Sequence, residues 1–178
     1  MKSHYRAVVI GGGVVGASTL YHLAKMGWND VVLVEKIEYT SGSTWHAAGL
    51  LPLFNMSYSV GKIHKYSVDL YQSLEEETGQ HVSFHKTGNL RLARNQERMD
   101  EYKRYCGTAS TIGVPFEMIG PAEIKKLWPF AKVDDLVGAL FHPDDGHVAP
   151  VDVTMALLKG ARASGAETYS EVEVTAMA

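Results

Sequence analysis

An α/β fold of the doubly wound, Rossmann-like type is predicted for this chain by three adjoining features near its amino-terminal end. The first is a short apolar run, Ala7 to Ile10, without alternation, as in a parallel strand covered on both faces. The second is a break at Gly11-Gly12-Gly13, after which Val14 to Met26 has helical spacing, with Ala17, Leu20, Tyr21 and Ala24 on one face. Gly27 is placed to end that helix. The third is Val31 to Val34, which reads as a second buried strand and completes a strand, helix, strand unit.

Further along, Ser59 to Thr78 reads as a long amphipathic helix, because Ile63, Tyr66, Leu70 and Leu74 recur at helical intervals and Gly79 comes next. The pattern then changes. Val82-Ser83-Phe84 reads as strand, and Asn89 to Arg94 alternates with Leu90 and Leu92 on one side. Gln96 to Ile112 is a polar helix, and Gly113, Pro115, Gly120 and Pro121 punctuate the stretch after it. Val151 to Ala163 is helical again through Val153, Leu157 and Ala161, closed by Gly165, and Ala166 to Ala176 contains two short strand-like runs. The expected organisation is a dinucleotide-binding domain whose first part is 1–81, a segment of an inserted α+β lobe over 82–150, and a return to the first domain over 151–178.

Composition bounds the function. The 178 residues are 46% hydrophobic and 21% charged, enough for a buried core of one domain or somewhat more. A net charge of -3, with Lys and Arg scattered among acids, offers no basic field for phosphate backbones, so no nucleic-acid or membrane-surface partner is expected. Cys106 is the one cysteine, which excludes an internal disulfide and any cysteine-built zinc or iron-sulfur site within the chain. A reducing, cytoplasmic setting is the expectation. Met1 to Arg6 leads straight into Val8-Val9-Ile10-Gly11, so no leader or transit peptide is expected, and no apolar run approaches the roughly 18 residues of a membrane span.

The chemistry begins at Gly11, Gly13 and Gly16, which occupy the three fixed positions of the dinucleotide fingerprint. Gly11 permits a tight exit from the strand, Gly13 lets a pyrophosphate approach the backbone, and Gly16 lets the helix pack closely on the sheet. Val14, Val15 and Gly16 open a helix whose amino-terminal N–H groups and positive dipole end face the phosphates. Glu35 closes the second strand roughly twenty residues later, where an acid accepts from the ribose hydroxyls and disfavours a phosphorylated ribose. Lys36 beside it and Val174 in the last strand-like run join the candidate cofactor contacts.

FAD and NAD both use such a unit. The segment Ser41-Gly42-Ser43-Thr44-Trp45-His46-Ala47-Ala48-Gly49-Leu50 favours a flavin: Ser43 and Thr44 are phosphate donors, and Ala47, Ala48 and Gly49 leave room for a flat ring. This segment, with Glu75-Glu76-Glu77-Thr78-Gly79, Gly88-Asn89-Leu90-Arg91-Leu92-Ala93, Asp145-Gly146-His147-Val148 and Thr154-Met155-Ala156-Leu157, resembles the dimethylglycine and sarcosine dehydrogenase family of FAD-dependent oxidoreductases along essentially the whole chain. That resemblance implies a Rossmann-like FAD-binding domain carrying part of an inserted substrate lobe, truncated relative to the family. It also implies a flavin bound covalently through the matching histidine, His46, with Ala48, Gly49 and Leu50 alongside. The implied reaction is oxidative demethylation of a small N-methyl amine such as dimethylglycine or sarcosine, by hydride transfer to the flavin. In long relatives a downstream region, outside this chain, binds tetrahydrofolate, and some relatives work in the mitochondrial matrix. The resemblance assigns no catalytic acid or base here, and it leaves the electron acceptor unnamed. Ala149 stands before Pro150 where many relatives carry an acid, which leaves the choice of amine open.

Other polar residues are weighed beside this set. Arg91 and Arg94 have the chemistry of carboxylate binders, but an alternating strand turns at least one to water. His81 and His85 are four apart with no third ligand or carboxylate partner in view, so no metal site is expected. His142-Pro143-Asp144-Asp145-Gly146-His147 reads as turn chemistry with Asp-Gly making the reversal, while His147 resembles a family position near the cofactor. Trp128, Tyr102 and Tyr105 read as packing residues. Two alternatives stand beside the amine oxidoreductase: a non-catalytic FAD-binding fragment, and an NAD-dependent dehydrogenase, which the segment around His46 opposes.

Overall fold

The computed structural model describes residues 1–176, and the chain forms two compact units. The first comprises Met1–Gly49, Tyr71–Phe84 and Val148–Ala178, and the second Leu50–Leu70 and His85–His147. Residues 50–70 therefore group with the lobe, although the sequence pattern put them in 1–81. The cause is backbone pairing: Leu50 and Leu51 form a strand against His147 and Gly146.

The first unit is built on a parallel sheet. Strands β1 (Ala7–Ile10) and β2 (Val31–Val34) pair in register from Ala7 opposite Val31 to Ile10 opposite Val34. Between them runs α1 (Val14–Lys25), whose end Gly27 marks with a φ of 86°. All four residues of β2 are buried, because it is the central strand. In β1, by contrast, Val8 and Ile10 are 52% and 54% exposed. The expectation of a strand covered on both faces is corrected: β1 is an edge strand with one face open among the described residues.

In the second unit, β3 (Leu50–Leu51) pairs with β8 (Gly146–His147), which also pairs with β4 (His85–Lys86). Helix α2 (Tyr58–Thr78) starts in this unit and ends in the first, the division falling after Leu70. Strand β5 (Asn89–Ala93) is antiparallel to β7 (Gly138–His142), and β7 to β6 (Glu117–Ile119). Helix α3 (Gln96–Ile112) is capped by the Asn95 side chain, which accepts from the Arg98 N–H at 2.9 Å, and ends at Gly113 with a left-handed φ of 81°. It buries Tyr102, Tyr105 and Ala109. Helix α4 (Pro121–Leu127) buries Ile124 in a cluster with Ile119, Ala131 and Ala139.

The chain returns to the first unit through α5 (Pro150–Ala163), which packs on α1 so closely that a Cβ at Gly160 would lie 2.8 Å from the Tyr21 ring. Tyr21 is fully buried, and its hydroxyl donates to Glu77 at 2.8 Å while accepting from Lys25 at 3.0 Å. Strand β9 (Glu167–Tyr169) then extends the sheet beside β2. Two sequence expectations are corrected. Only one strand occurs among residues 166–176, and Val82 to Phe84 is no strand, since Ser83 turns the backbone with a φ of 52°.

Candidate functional site

The glycine corner lies where β1 meets α1. Gly11 leaves the strand with a φ of 108°, and its N–H still donates to Val34 O at 2.9 Å, so it ends the sheet and starts the turn. At Gly16 a Cβ would sit 1.9 Å from Gly11 O, so only a residue without a side chain lets the helix press on the loop. Sequence reasoning missed the middle glycine. Gly12 donates its N–H to Glu35 Oε2 at 2.7 Å, and a Cβ there would lie 2.7 Å from the Tyr39 ring. The third consecutive glycine, one more than the fingerprint needs, was the available clue.

Glu35 also accepts the Ile37 N–H through Oε1 at 3.0 Å. The hydrogen bond from the Gly12 backbone, the leading cause, holds its carboxyl below the ordinary range, so it remains ionised and fixed. Each oxygen keeps a second lone pair for a hydroxyl donor. Thr44, buried in a 3₁₀ turn over Thr44–His46, accepts the Val14 N–H at 3.0 Å and so ties this segment to the start of α1. Its own proton is free to point elsewhere. The first-turn amides of Val15 and Gly16 have no intrahelical carbonyl to meet.

These groups line a cavity of about 560 Å³ bounded by Gly11, Gly13, Val15, Gly16, Glu35 and Thr44. A second cavity of about 340 Å³ shares Ile10, Gly11 and Glu35 with it and extends past Lys36 and Val172 to Val174. An elongated nucleotide with a negative middle fits this pair: backbone donors and a helix start at the centre, and a fixed carboxylate towards one end. The residues thus suit the diphosphate and ribose of FAD.

The structure places Ser43 exposed beside Thr44 and Ala47 in the same wall of the larger cavity. His46 is exposed, its ring lies 3.8 Å from that of Trp45 at 34°, and its Nδ1 faces Gly42 O at 3.2 Å. Ala48 is exposed, and Gly49 has a φ of 70° with no room for a Cβ, which would lie 2.0 Å from Val148 O. Leu50 belongs to the second unit, in β3, and is exposed.

Among the other polar candidates, Arg94 pairs with Asp135 at 3.2 Å on the surface. Arg91 points inward, its guanidinium 4.3 Å above the Phe54 ring. His81 has the carboxylate partner that the sequence did not reveal, Glu75 at 2.8 Å, while the His85 ring lies 4.9 Å from that of His147. Among the described residues no three His, Cys, Asp or Glu side chains gather as metal ligands, and no helix is long and apolar enough to cross a membrane. Trp128 is half exposed and lines a cavity of about 340 Å³ with Leu90 and Phe141, so its reading as a packing residue is corrected. Tyr102 and Tyr105 are buried, as packing residues are. The Asp-Gly reversal is also corrected: the turn is made at Pro143 and Asp144, whereas Asp145 is buried and accepts the Leu53 N–H at 2.9 Å. A carboxylate used inward looks like any turn residue until Leu53 is brought to it.

Likeness to known proteins bears on this site. Residues 6–178 match the model of a family described as FAD dependent oxidoreductase. The chain is 46% identical over 176 residues to dimethylglycine dehydrogenase, mitochondrial, of Rattus norvegicus, covering 99% of this chain and 20% of that protein. It is 39% identical over 174 residues to the pyruvate dehydrogenase phosphatase regulatory subunit, mitochondrial, of Mus musculus, covering 98% of this chain and 20% of that one. The crystal structure of L-proline dehydrogenase from P. horikoshii superposes with a TM-score of 0.90 at 31% identity, over 98% of this chain and 46% of the other. The chain thus spans about a fifth of the length of these two curated relatives.

Proposed function

This chain belongs to the FAD dependent oxidoreductase family, and from that premise we propose that it forms the cofactor-binding part of a flavoenzyme oxidising CH–NH donors, with a small N-methyl amine such as dimethylglycine or sarcosine as substrate. The observation that carries the reading is the cradle itself: a Gly16 without room for a Cβ, a Glu35 carboxylate fixed by the Gly12 N–H, and the adjoining cavities. Family membership favours FAD over NAD there, and 46% identity to a dimethylglycine dehydrogenase favours an amine.

Each residue has a part. The amides of Val15 and Gly16 and the Thr44 hydroxyl would hold the diphosphate, with Gly11, Gly13 and Val14 shaping the approach and Ser43 adding a donor. Glu35 would take the ribose hydroxyls, flanked by Lys36 and Val174. FAD supplies the two-electron acceptor that no side chain provides. His46 is the proposed point of covalent attachment, supported by its geometry: an Nδ1–H donating to Gly42 O leaves the Nε2 lone pair for the bond to the ring. Ala48, Gly49 and Leu50 are proposed to flank the flavin.

The test is acid precipitation of the holoprotein. Yellow colour is expected in the pellet for the wild-type chain and in the supernatant for His46→Ala; colour in the wild-type supernatant overturns the linkage. Dye reduction with dimethylglycine, sarcosine and proline then reads the substrate. A second reading, a flavin module without turnover, draws support from the 39% identical relative named as a regulatory subunit. Absence of reduction with all three amines in a flavin-loaded full-length protein would favour it.

A further inference from the structure

The second unit contains a buried polar cluster that the cofactor cradle does not use. His142 is 0% exposed and Asp145 2%. The His142 Nε2 lies 3.0 Å from the Tyr105 hydroxyl, and that hydroxyl donates its one proton to Leu53 O at 3.2 Å. Nε2 must therefore carry the imidazole proton, which leaves Nδ1 as a lone-pair acceptor. Asp145 Oδ1 accepts the Leu53 N–H. Three buried atoms remain with no hydrogen-bond partner among the described residues: Arg91 Nε, His142 Nδ1 and Asp145 Oδ2. Their residues all adjoin the Leu53-Phe54 segment: the Arg91 guanidinium lies 4.3 Å from the Phe54 ring, the His142 ring 6.4 Å from it, and Asp145 accepts the Leu53 N–H.

We propose that Arg91, His142 and Asp145 together bind a single buried water molecule, a site at which Asp145 takes up or releases a proton without any of the three groups losing its hydrogen bond. The chemistry of the three atoms selects the ligand. Arg91 Nε–H only donates and His142 Nδ1 only accepts, so the bound species must do both. An anion such as chloride has no proton for Nδ1, and an ammonium has no lone pair for the guanidinium. Water has two of each. With Asp145 ionised, the water donates to Oδ2 and Nδ1 and accepts from Arg91. With Asp145 protonated, the carboxyl O–H donates to the same water, which turns, accepts twice and still donates to Nδ1. Three hydrogen bonds are made in either state, the usual number for a buried water.

The other titratable and charged groups facing Asp145 are His64 from α2, Tyr105 from α3 and Asp144 in the turn before it, while Tyr102 and Cys106 lie on α3 around Arg91 and Tyr105. Burial, the leading cause, raises the Asp145 carboxyl to about 6, and burial lowers His142 to about 4, so near pH 6 the proton exchanges on Asp145 while the imidazole stays neutral.

A crystal structure of the full-length protein at a resolution that shows ordered solvent tests the site. The expected result is a density peak within hydrogen-bond reach of all three atoms. No such peak, or a direct Arg91 to Asp145 ion pair in its place, overturns the proposal. Infrared difference spectra across pH 5 to 7 test the proton. A carboxylic C=O band that appears below about pH 6, shifts in D₂O and vanishes in Asp145→Asn supports it. Asp145→Asn keeps both the acceptor for Leu53 and a donor for the water, so the fold is preserved. A band unchanged by that substitution, or no titrating band, refutes it.

Discussion

Replacing Gly16 and Gly13 by alanine separates what the glycine corner does for the fold from what it does for the cofactor. At Gly16 an added Cβ would stand 1.9 Å from Gly11 O and 3.1 Å from its carbonyl carbon, both backbone atoms that cannot rotate away. The helix and loop must part by about 1 Å, which shifts the start of α1 against the sheet. Overpacking of this kind costs about 1–3 kcal/mol, or roughly 2–12 °C in melting temperature for a chain of this size. At Gly13 the added Cβ would lie 3.0 Å from Thr44 Oγ1 alone, a side-chain atom that needs to give by only a few tenths of an ångström, so the cost to the fold is smaller than at Gly16. That Cβ does enter the wall of the larger cavity, where a diphosphate would lie. Thermal unfolding of the apoprotein and retention of FAD through gel filtration measure the two effects. Gly16→Ala should lower both stability and flavin content, whereas Gly13→Ala should lose less stability than Gly16→Ala yet retain less flavin than wild type. A Gly16→Ala protein that melts with the wild type would refute the packing argument. A Gly13→Ala protein with full flavin would refute the placement of the diphosphate.

The same geometry carries other expectations. Asp145 has a folded pKa of about 6, above its unfolded value, so its stabilising contribution is complete below about pH 4 and is lost as pH rises to about 6. Asp145→Asn should therefore gain stability relative to wild type by something on the order of 2 kcal/mol between those limits in urea titrations, and a pH-independent difference would contradict the burial of the carboxyl. His142 has a lowered folded pKa, so its own contribution runs the opposite way, falling as pH drops from about 6.5 to about 4, and the Asp145→Asn chain should show that slope undisguised. Thr44→Val removes the acceptor for the Val14 N–H and should cost about 0.5–2 kcal/mol by chemical denaturation, together with some flavin affinity. Leu157→Ala, fully buried in α5, should cost about 2–5 kcal/mol, and a smaller loss would mean that the surrounding core closes over the gap.

The strand, helix, strand unit is legible in residue order alone because its determinants are local. A four-residue apolar run, a glycine break and a 3.6-residue repeat depend on neighbours in sequence, and β1, α1 and β2 appear where those patterns stand. The same holds for the fingerprint glycines and Glu35, whose spacing is itself the motif. Lobe assignment is less legible: residues 50–70 look continuous with the segment before them, and only pairing with β8, nearly a hundred residues later, draws Leu50 and Leu51 into the second unit. The inward use of Asp145, the carboxylate partner of His81 and the contact that forbids a side chain at Gly16 likewise arise between segments distant in sequence or from loop geometry that composition does not encode. Backbone periodicity is set by each residue's own neighbours and can be read from order alone. Hydrogen-bond partners, burial and the direction in which a charge points are properties of packed space, and they come into being only when the chain has folded on itself.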